Sequence, residues 1–489
     1  MRSSPLLLSL PLLALAACTA GADYQGPASA GAPAAPETFA RAGDMVSAAT
    51  PAPARWWTSL GDPVLNDLEE RALAHNPDLA VAQARLHQAR AGLRLDRANG
   101  LPNGNASIMY AHAQLPGIDL SSLTGSEDSD GGSSDSGSEG ESGGGSESLN
   151  FYNLGFDASW EIDLFGGQRR TVEASRASLE AAQATLADAQ VSLAAEVASA
   201  YVNLRDRQQR LAFAEQAAAR QHEALDLTRQ RYARGTTSAL DVERQNSLAE
   251  QSDAALLPLK AERDAYLNAL AVLTGQVPGT LDAQLAAPAA VPLPPAEVAV
   301  GDPGALLQRR PDIRAAERQL AAATAKIGVA KAARFPHISF MGILGIGGTK
   351  PDSMVDFDNL AAIAMPQIKW NILDFGRNSA RIGQAEGGRD EAAARYRKAV
   401  LVALRDAEDS LSRYGASRQT VASAARTRAS AERTATLTRQ RFGSGTTSRI
   451  ELLDAERQLI NADQSLSQAT AAMTADYIAV QKALGLGWD

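Results

Sequence analysis

Between residues 152 and 164 the chain alternates. Tyr152, Leu154, Phe156, Ala158, Trp160, Ile162 and Leu164 are apolar, while Asn153, Gly155, Asp157, Ser159, Glu161 and Asp163 are polar or small. A period of two is that of a strand with one wet and one apolar face. Ala362, Ala364, Ile368, Trp370 and Ile372 repeat the pattern, opposed by Gln367, Lys369 and Asn371. Segments 104–115 and 337–348 supply partner strands, with Ile338, Phe340, Leu344 and Ile346 on one face and Met341 and Ile343 blurring the other. The pattern then changes. Residues 168–234 contain neither Gly nor Pro, and at 1.5 Å per residue they predict about 100 Å of helix. Val172, Leu179, Leu186 and Leu193 recur every seven residues, and after a four-residue shift Val197, Leu204, Leu211, Ala218 and Leu225 do the same. Heptads with such a stutter describe a locally unwound helix still laced to its neighbours. Gly235 stops it, and Asp241 opens a returning helix where a carboxylate meets the positive end of the helix dipole.

The whole arrangement occurs twice. Arg229-Gln-Arg-Tyr-Ala-Arg-Gly-Thr-Thr-Ser238 returns as Arg439-Gln-Arg-Phe-Gly-Ser-Gly-Thr-Thr-Ser448, and Trp160-Glu-Ile-Asp-Leu-Phe-Gly166 as Trp370-Asn-Ile-Leu-Asp-Phe-Gly376, both at an offset of 210. Upstream, Asn76-Pro-Asp-Leu79 matches Arg310-Pro-Asp-Ile313, and Leu101-Pro102 matches Phe335-Pro336, at an offset of 234. The 24 residues of difference fall between positions 102 and 160, where 125–148 form an acidic Gly/Ser tract with seven carboxylates and no counterpart in the second repeat. Each repeat therefore reads helix, strand, strand, long helix, turn, helix, with the tract as a loop inside a hairpin rather than a linker between domains. Neither EF-hand nor nonapeptide spacing makes it a calcium site, so it reads as a disordered loop.

Strands of this length can cross a bilayer, which takes about ten residues each, and one wet face suits a wall around water. Four strands cannot close around a wet lumen, and open edges cannot stand in lipid, so oligomerisation would complete such a barrel. The pattern alone also admits a half-buried sheet in a soluble protein, and the helices alone a rod-like coiled coil without a pore.

Composition narrows the choice. The chain has 489 residues, 45% of them hydrophobic but only 5% aromatic, which fits long, closely approaching helices rather than a compact aromatic core. Of the net charge of −9, seven units lie in the acidic tract, leaving no basic surface for nucleic acid. The amino terminus, Met1-Arg-Ser-Ser-Pro-Leu-Leu-Leu-Ser-Leu-Pro-Leu-Leu-Ala-Leu-Ala-Ala-Cys18, has the grammar of a signal peptide and is too short to span a membrane. Leu15-Ala-Ala-Cys18 resembles a bacterial lipobox, which implies cleavage before Cys18 and acylation of it; an ordinary signal peptide with a chance cysteine is the alternative. Cys18 is the chain's single cysteine, so neither an internal disulfide nor a multi-cysteine metal site is available. Two acyl chains already anchor stably, and Thr19 after the cysteine favours the outer membrane by analogy with lipoprotein sorting. The histidines, His75, His87, His112, His222 and His337, show no metal-ligand spacing, and no nucleophile elbow, P-loop or dinucleotide fingerprint appears. An enzyme is not expected, and neither is a cofactor beyond the covalent acyl and diacylglycerol lipid at Cys18.

These residues, from Trp56-Trp57 and Gly61-Asp-Pro63 through Asn76-Pro-Asp-Leu79 and Arg309-Arg-Pro-Asp-Ile313 to the two Gly-Thr-Thr-Ser turns, resemble the TolC-type outer-membrane efflux family. The lipobox places the resemblance in its lipoprotein branch, which works with resistance-nodulation-division pumps. The resemblance covers nearly all of the mature chain. It implies a fold of mixed but mainly α class: a homotrimer whose chains each give four strands to a twelve-stranded outer-membrane β-barrel, continued by a twelve-helix coiled-coil α-barrel through the periplasm. It implies a passive exit duct whose partners are a periplasmic adaptor, an inner-membrane pump and outer-membrane lipid. The tip turns, Gly235, Thr236, Thr237 and Asp241 in one repeat and Gly445, Thr446 and Thr447 in the other, match the family's adaptor-docking end. Glu451 and Asp454 match an acidic pair at its gate; they lie one helical turn apart, and threefold symmetry would gather six carboxylates into a ring that attracts cations. Relatives often carry an aliphatic residue after the tip glycine where this chain has threonine. Export of a peptide or protein, and a non-conducting envelope lipoprotein, are the competing functions.

The expected organisation is a signal peptide at 1–17, an acylated tether at 18–58, and a first helix at 59–103. A hairpin at 104–165 follows, with an extracellular acidic loop at 116–149, then the long helix, tip and return helix at 166–275 and a Pro-rich linker at 276–305. The second repeat has its first helix at 306–336, its hairpin at 337–375 and its helices and carboxyl end at 376–489.

Overall fold

The computed structural model describes residues 20–26, 36–42, 46–47, 49, 54–116 and 146–488. In chain order the elements are β1 (Val46–Ser47), α1 (Pro63–His75), α2 (Pro77–Ala98), β2 (Asn103–Pro116), β3 (Ser146–Ile162), α3 (Gly167–Ala233), α4 (Ala239–Ala254), α5 (Leu256–Leu273) and α6 (Asp282–Leu285). They continue with β4 (Val298–Ala299), α7 (Pro303–Arg309), α8 (Pro311–Ala332), β5 (His337–Gly348), β6 (Leu360–Lys369), α9 (Arg377–Gly443) and α10 (Arg449–Ala483). They group into two compact units, one holding residues up to 23, 92–174 and 324–386, the other the remainder.

The first unit carries a four-stranded antiparallel sheet in the order β2-β3-β5-β6. Its registers align Ile108, Leu154, Ile346 and Leu360 in one row, and Ala106, Phe156, Leu344 and Ala362 in the next. The even-numbered face is thus apolar, and nothing in the unit covers it: Ile108, Tyr110, Leu154, Phe156, Phe340, Leu344 and Ile368 are all exposed. The other face carries the polar Asn105, Asp157, Glu161, Ser339 and Gln367, interleaved with Met109, Met341, Ile343, Ile363 and Met365. At the foot of the two hairpins, Trp160 Nε1 donates to Gly100 O and Trp370 Nε1 to Arg334 O, each at 3.1 Å, so the repeat relation holds down to single hydrogen bonds. Phe165 stacks on Phe335 with ring centroids 4.7 Å apart. The strands β2 and β3 reach to Pro116 and from Ser146, into the range expected to be loop at 116–149. Their fourteen register pairs exceed the ten of β5 and β6. The acidic tract up to 145 lies outside the described residues, as does Cys18.

A buried arginine fixes the residues just beyond Cys18 to this unit. Arg170 donates to the carbonyls of Ala20 and Gly21 at 3.2 and 3.0 Å and pairs with Asp23 at 2.7 Å and Glu173 at 2.6 Å. Ala20 N also donates to Phe165 O at 3.0 Å. Gly21 passes Gly328 so closely that a Cβ on it would stand 2.7 Å from the Gly328 Cα.

The second unit holds the core. Trp56, Trp57, Leu65 and Leu68 pack with Tyr201 and Leu204 of α3, Leu270 of α5, Leu281 and Leu285 of the inter-repeat segment, Leu306 of α7, and Ile478 and Leu484 near the carboxyl end. The Pro-rich linker therefore serves as a core element, and β4 within it pairs in parallel with β1. The amino-terminal segment is also tied in: Phe39 is buried, and Ala40 N and Arg41 N donate to the Glu408 carboxylate at 2.7 and 2.9 Å. Of the heptad positions on α3, Leu193, Val197, Leu204, Leu211, Ala218 and Leu225 are buried. Val172, Leu179 and Leu186 are only half-buried, and Ala174, Ala177, Ala181, Ala184 and Ala187 take the buried places beside them.

Three expected helices are broken where proline demands it. The first helix of each repeat divides into α1 and α2 at Asn76-Pro77 and into α7 and α8 at Arg310-Pro311. Asn76 and Arg310 are extended, with ψ of 128° and 122°, because the ring that follows excludes the helical region for the residue before it. The return helix divides into α4 and α5 around Ala255, since Pro258 has no N–H to give Ala254 O and its ring would strike that carbonyl. At the matching place in the second repeat stands Gln468, and α10 runs unbroken.

Candidate functional site

The two hairpin turns are built alike. The long helices α3 and α9 each have 67 residues and end in a left-handed glycine, Gly235 and Gly445, both with φ +73°. Beyond each glycine the chain folds back on its own helix: Thr236 N donates to Arg231 O at 3.0 Å and Thr446 N to Arg441 O at 2.9 Å. This six-to-one bond of a Schellman stop satisfies a carbonyl that the helix end leaves free. The threonine hydroxyls Thr236 Oγ1 and Thr446 Oγ1 donate to the same carbonyls at 2.9 and 3.1 Å. A threonine after the tip glycine is thus part of the helix stop.

The return helices start from serine caps. Ser238 Oγ accepts from Asp241 N, and Ser448 Oγ from Glu451 N, both at 3.2 Å. Each carboxylate answers: Asp241 Oδ2 accepts from Thr237 Oγ1 at 2.9 Å and from Ser238 Oγ at 2.7 Å, and Glu451 accepts from Thr447 Oγ1. Asp241 Oδ2 also accepts from Ser238 N at 3.2 Å, and this completes a capping box. Hydrogen bonds from the Ser238 and Thr237 hydroxyls and the Ser238 amide, helped by Arg244, hold the Asp241 carboxyl below the usual carboxylate range. Asp241 and Glu451 are equivalent under the repeat, and the serine cap is common to both, while the full capping box is formed around Asp241. Ser238 and Ser448 were readable as caps, because Ser followed three residues later by Asp or Glu is the sequence form of this motif.

Asp454 lies one turn further on α10, exposed and paired with Arg457, and it accepts from Gln458 Nε2 at 3.3 Å. Glu451 and Asp454 both line a cleft of about 210 Å³ shared by α3, α4 and α10, with Arg220, Gln221, Gln245 and Arg457 among its other walls. Charged side chains that sequence spacing could not link tie the two hairpins together. Arg449 Nε and Nη2 donate to Glu223 Oε1 of α3 at 2.9 and 2.6 Å. Glu456, mostly buried, stands 3.3 Å from Arg220 and 3.0 Å from Arg439. Arg449 with Glu223 and Glu456 with Arg220 join residues more than two hundred apart, so no local pattern announces them, whereas Arg439 and Glu456 belong to the same hairpin.

All five histidines are exposed; His222 meets Asp253 at 2.9 Å and His337 meets Glu161 at 2.8 Å. Among the described residues no group of three His, Cys, Asp or Glu side chains could hold a metal, and no helix is long and apolar enough to cross a membrane.

A family profile described as outer membrane efflux protein matches residues 68–276 and 303–486. The chain is 28% identical to Nodulation protein T of Rhizobium leguminosarum bv. trifolii, over 98% of this chain and 96% of that protein. It is 30% identical to the solvent efflux pump outer membrane protein SrpC of Pseudomonas putida, over 98% of each. Among solved structures, the outer-membrane channel OprN superposes with a TM-score of 0.82 at 33% identity, covering 96% of this chain and all of that one.

Proposed function

We propose, from the premise that this chain belongs to the outer membrane efflux protein family, that it is the exit duct of a tripartite efflux system. It conducts small molecules passively across the outer membrane. The observation that carries this reading is the sheet: four long strands with an uncovered apolar face, a mixed face behind it that carries the polar side chains, and two open edges. Such a sheet is unstable alone in water or lipid, and becomes stable when copies close it so that the apolar face meets hydrocarbon and the mixed face meets a lumen. Three copies would give twelve strands. The extra length of β2 and β3 would carry the acidic tract out of the bilayer, facing the cell exterior.

The helical hairpins, capped and stopped alike, form the periplasmic end in this reading. The Gly235 and Gly445 turns dock a periplasmic adaptor that links the duct to an inner-membrane pump. Glu451 and Asp454 line the constriction, where their charge favours cations. Cys18 carries the acyl anchor, and the Arg170 clamp on residues 20–23 supports it by holding the chain just after the anchor against the strand unit.

Planar-bilayer recording of the purified full-length protein tests the reading. Stepwise conductance is expected, rising when Glu451 and Asp454 are both changed to Ala. A protein that passes no current under voltage, with or without those changes, would overturn the duct. Acylation is read separately, since Cys18→Ala should abolish incorporation of labelled palmitate.

A further inference from the structure

The chain contains its own template for how one copy meets the next. In the first hairpin Asn103 faces Ser159 and Ile108 faces Leu154; in the second His337 faces Lys369 and Gly342 faces Ala364. Moving β2 by 234 residues and β3 by 210 converts the first set of pairs into the second without a slip. The repeat therefore extends to backbone pairing. The two repeats also meet once inside the chain, where β3 pairs with β5 and Ala158 faces Gly342, Asp157 faces Ile343 and Gly155 faces Gly345. The equivalent meeting of β6 with β2 is missing, because these strands are the two edges of the sheet.

We infer that this missing junction forms between copies of the chain, with β6 of one antiparallel to β2 of the next in the register that the internal junction dictates. Ile368 then faces Ile108 of the partner subunit, Gln367 faces Met109 of the partner subunit, and Met365 faces Ala111 of the partner subunit. The inference rests on the closed-barrel reading above and adds to it the alignment of the seam.

Three features of the single chain agree with this register. The first is parity: the face that carries Ile108 and Tyr110 on one edge strand carries Leu360 and Ile368 on the other, while Asn105 and Gln367 share the opposite face with Met109, Ile363 and Met365, and a slip of one residue would put the first face of one copy beside the second face of the next. The second is exposure. Ile108 and Ile368 are 78% and 69% exposed, the highest values among the large apolar residues of the strands, and they sit on opposite edges. The inferred register brings them face to face; a slip of two residues would part them by about 7 Å. The third lies below the strands. The stacked pair Phe165 and Phe335 corresponds under the repeat to Phe375 and Leu101, which are 90% and 64% exposed. The seam would place Phe375 against Leu101 of the partner subunit, as the internal junction places Phe165 against Phe335. Pro366 lacks an N–H, so it costs the two ladders of β6 one bond between them.

Cysteine cross-linking in native outer membranes tests the register, using full-length protein whose only other cysteine is Cys18. Directly facing residues in an antiparallel pair lie about 4.5–5.5 Å apart at Cα, within the span of a disulfide, whereas diagonal neighbours lie about 7–8 Å apart. Gln367→Cys with Met109→Cys, and Met365→Cys with Ala111→Cys, should each give covalent oligomers on oxidation that reductant dissolves. Gln367→Cys with Ala111→Cys should lose that product, although both of its cysteines cross-link in register. Each single variant is checked for unchanged assembly and conductance. Cross-linking that prefers the shifted pair would overturn the register while leaving the duct standing. Conducting oligomers in which none of these pairs cross-links would overturn the β6-to-β2 seam, and a wild-type chain that is monomeric in the membrane would overturn the seam and the barrel together.

Discussion

Replacing Arg449 by Ala should free the second hairpin from the first and raise the open probability of the duct. Both donors of the Arg449 fork meet Glu223 Oε1, at 2.9 and 2.6 Å, so the start of α10 is fastened to α3. The side chains are 32% and 36% exposed, so water screens the pair heavily. An ion pair of that exposure contributes about 0.5–1 kcal/mol. If the hairpins of three chains part together, the three pairs add to about 1.5–3 kcal/mol, or roughly a 12- to 150-fold change in the ratio of open to closed.

Arg449 also lies over the Phe442 ring, 5.7 Å from its centroid, so the single substitution removes more than the ion pair. A double-mutant cycle in planar bilayers separates the two: Glu223→Ala should open the duct by the same mechanism, and Arg449→Ala on top of it should add only the ring contact. Raising salt from 0.1 to 1 M shortens the screening length from about 10 to about 3 Å and should shrink the effect of either change. Fully additive single effects, or an effect indifferent to salt, would refute the claim that this pair couples the hairpins.

Gly235→Ala and Gly445→Ala should each destabilise their turn by about 1–2 kcal/mol and by similar amounts. A Cβ at either position meets no atom within 4 Å, which leaves only the left-handed backbone to oppose it; protease nicking at the turn reads the effect. Glu69 on α1 is fully buried, and burial pushes its carboxyl well above the usual range, with the Ala198 backbone offsetting a little of this without forming a good hydrogen bond to either oxygen. The fold keeps the proton that the unfolded chain releases, so stability falls as pH rises from the ordinary carboxylate value towards the folded one. Glu69→Gln should therefore raise the melting temperature at pH 8 more than at pH 4, and an equal gain at both would exclude this linkage. Asp454→Asn should lower the preference for potassium over chloride and Arg457→Ala should raise it; reversal potentials that neither change moves would place Asp454 away from the ion path.

Strand identity was legible because an alternating sheet face is written locally, residue by residue, and the 210-residue offset carried Trp160 onto Trp370 with the same hydrogen bond. Helix length was legible in the first repeat from the absence of Gly and Pro. In the second, α9 keeps the same 67 residues although Gly383, Gly387, Gly388 and Gly415 lie inside it. Each glycine costs about 1 kcal/mol of helix propensity, so packing along the helix outweighs local preference there. The breaks before Pro77 and Pro311 and around Pro258 were written in the sequence too, but a coarse hydrophobic period runs through them. Contacts between distant segments, β1 with β4 and Arg449 with Glu223, depend on the assembled fold and leave no local trace.

The repeat also sorts the acidic residues at the turns. Asp241 and Glu451 stand at the same place, and each takes a threonine hydroxyl beside a capping serine. Helix capping explains a carboxylate there in both hairpins, with no appeal to a channel. The difference between the hairpins comes one turn later, where the first has Arg244 and the second Asp454. Arg244 turns back towards Asp241 at 3.8 Å, so that hairpin balances its own charge. Asp454 instead engages Arg457 and leaves the Glu451 carboxylate to the Thr447 hydroxyl. With Glu451, Asp454 and Arg457 together, each copy of the second hairpin presents one net negative charge to the cleft. A threefold ring built from these hairpins would carry about three net charges, half of what six free carboxylates would give. An electrostatic gate at this end therefore depends on how firmly Arg457 holds Asp454.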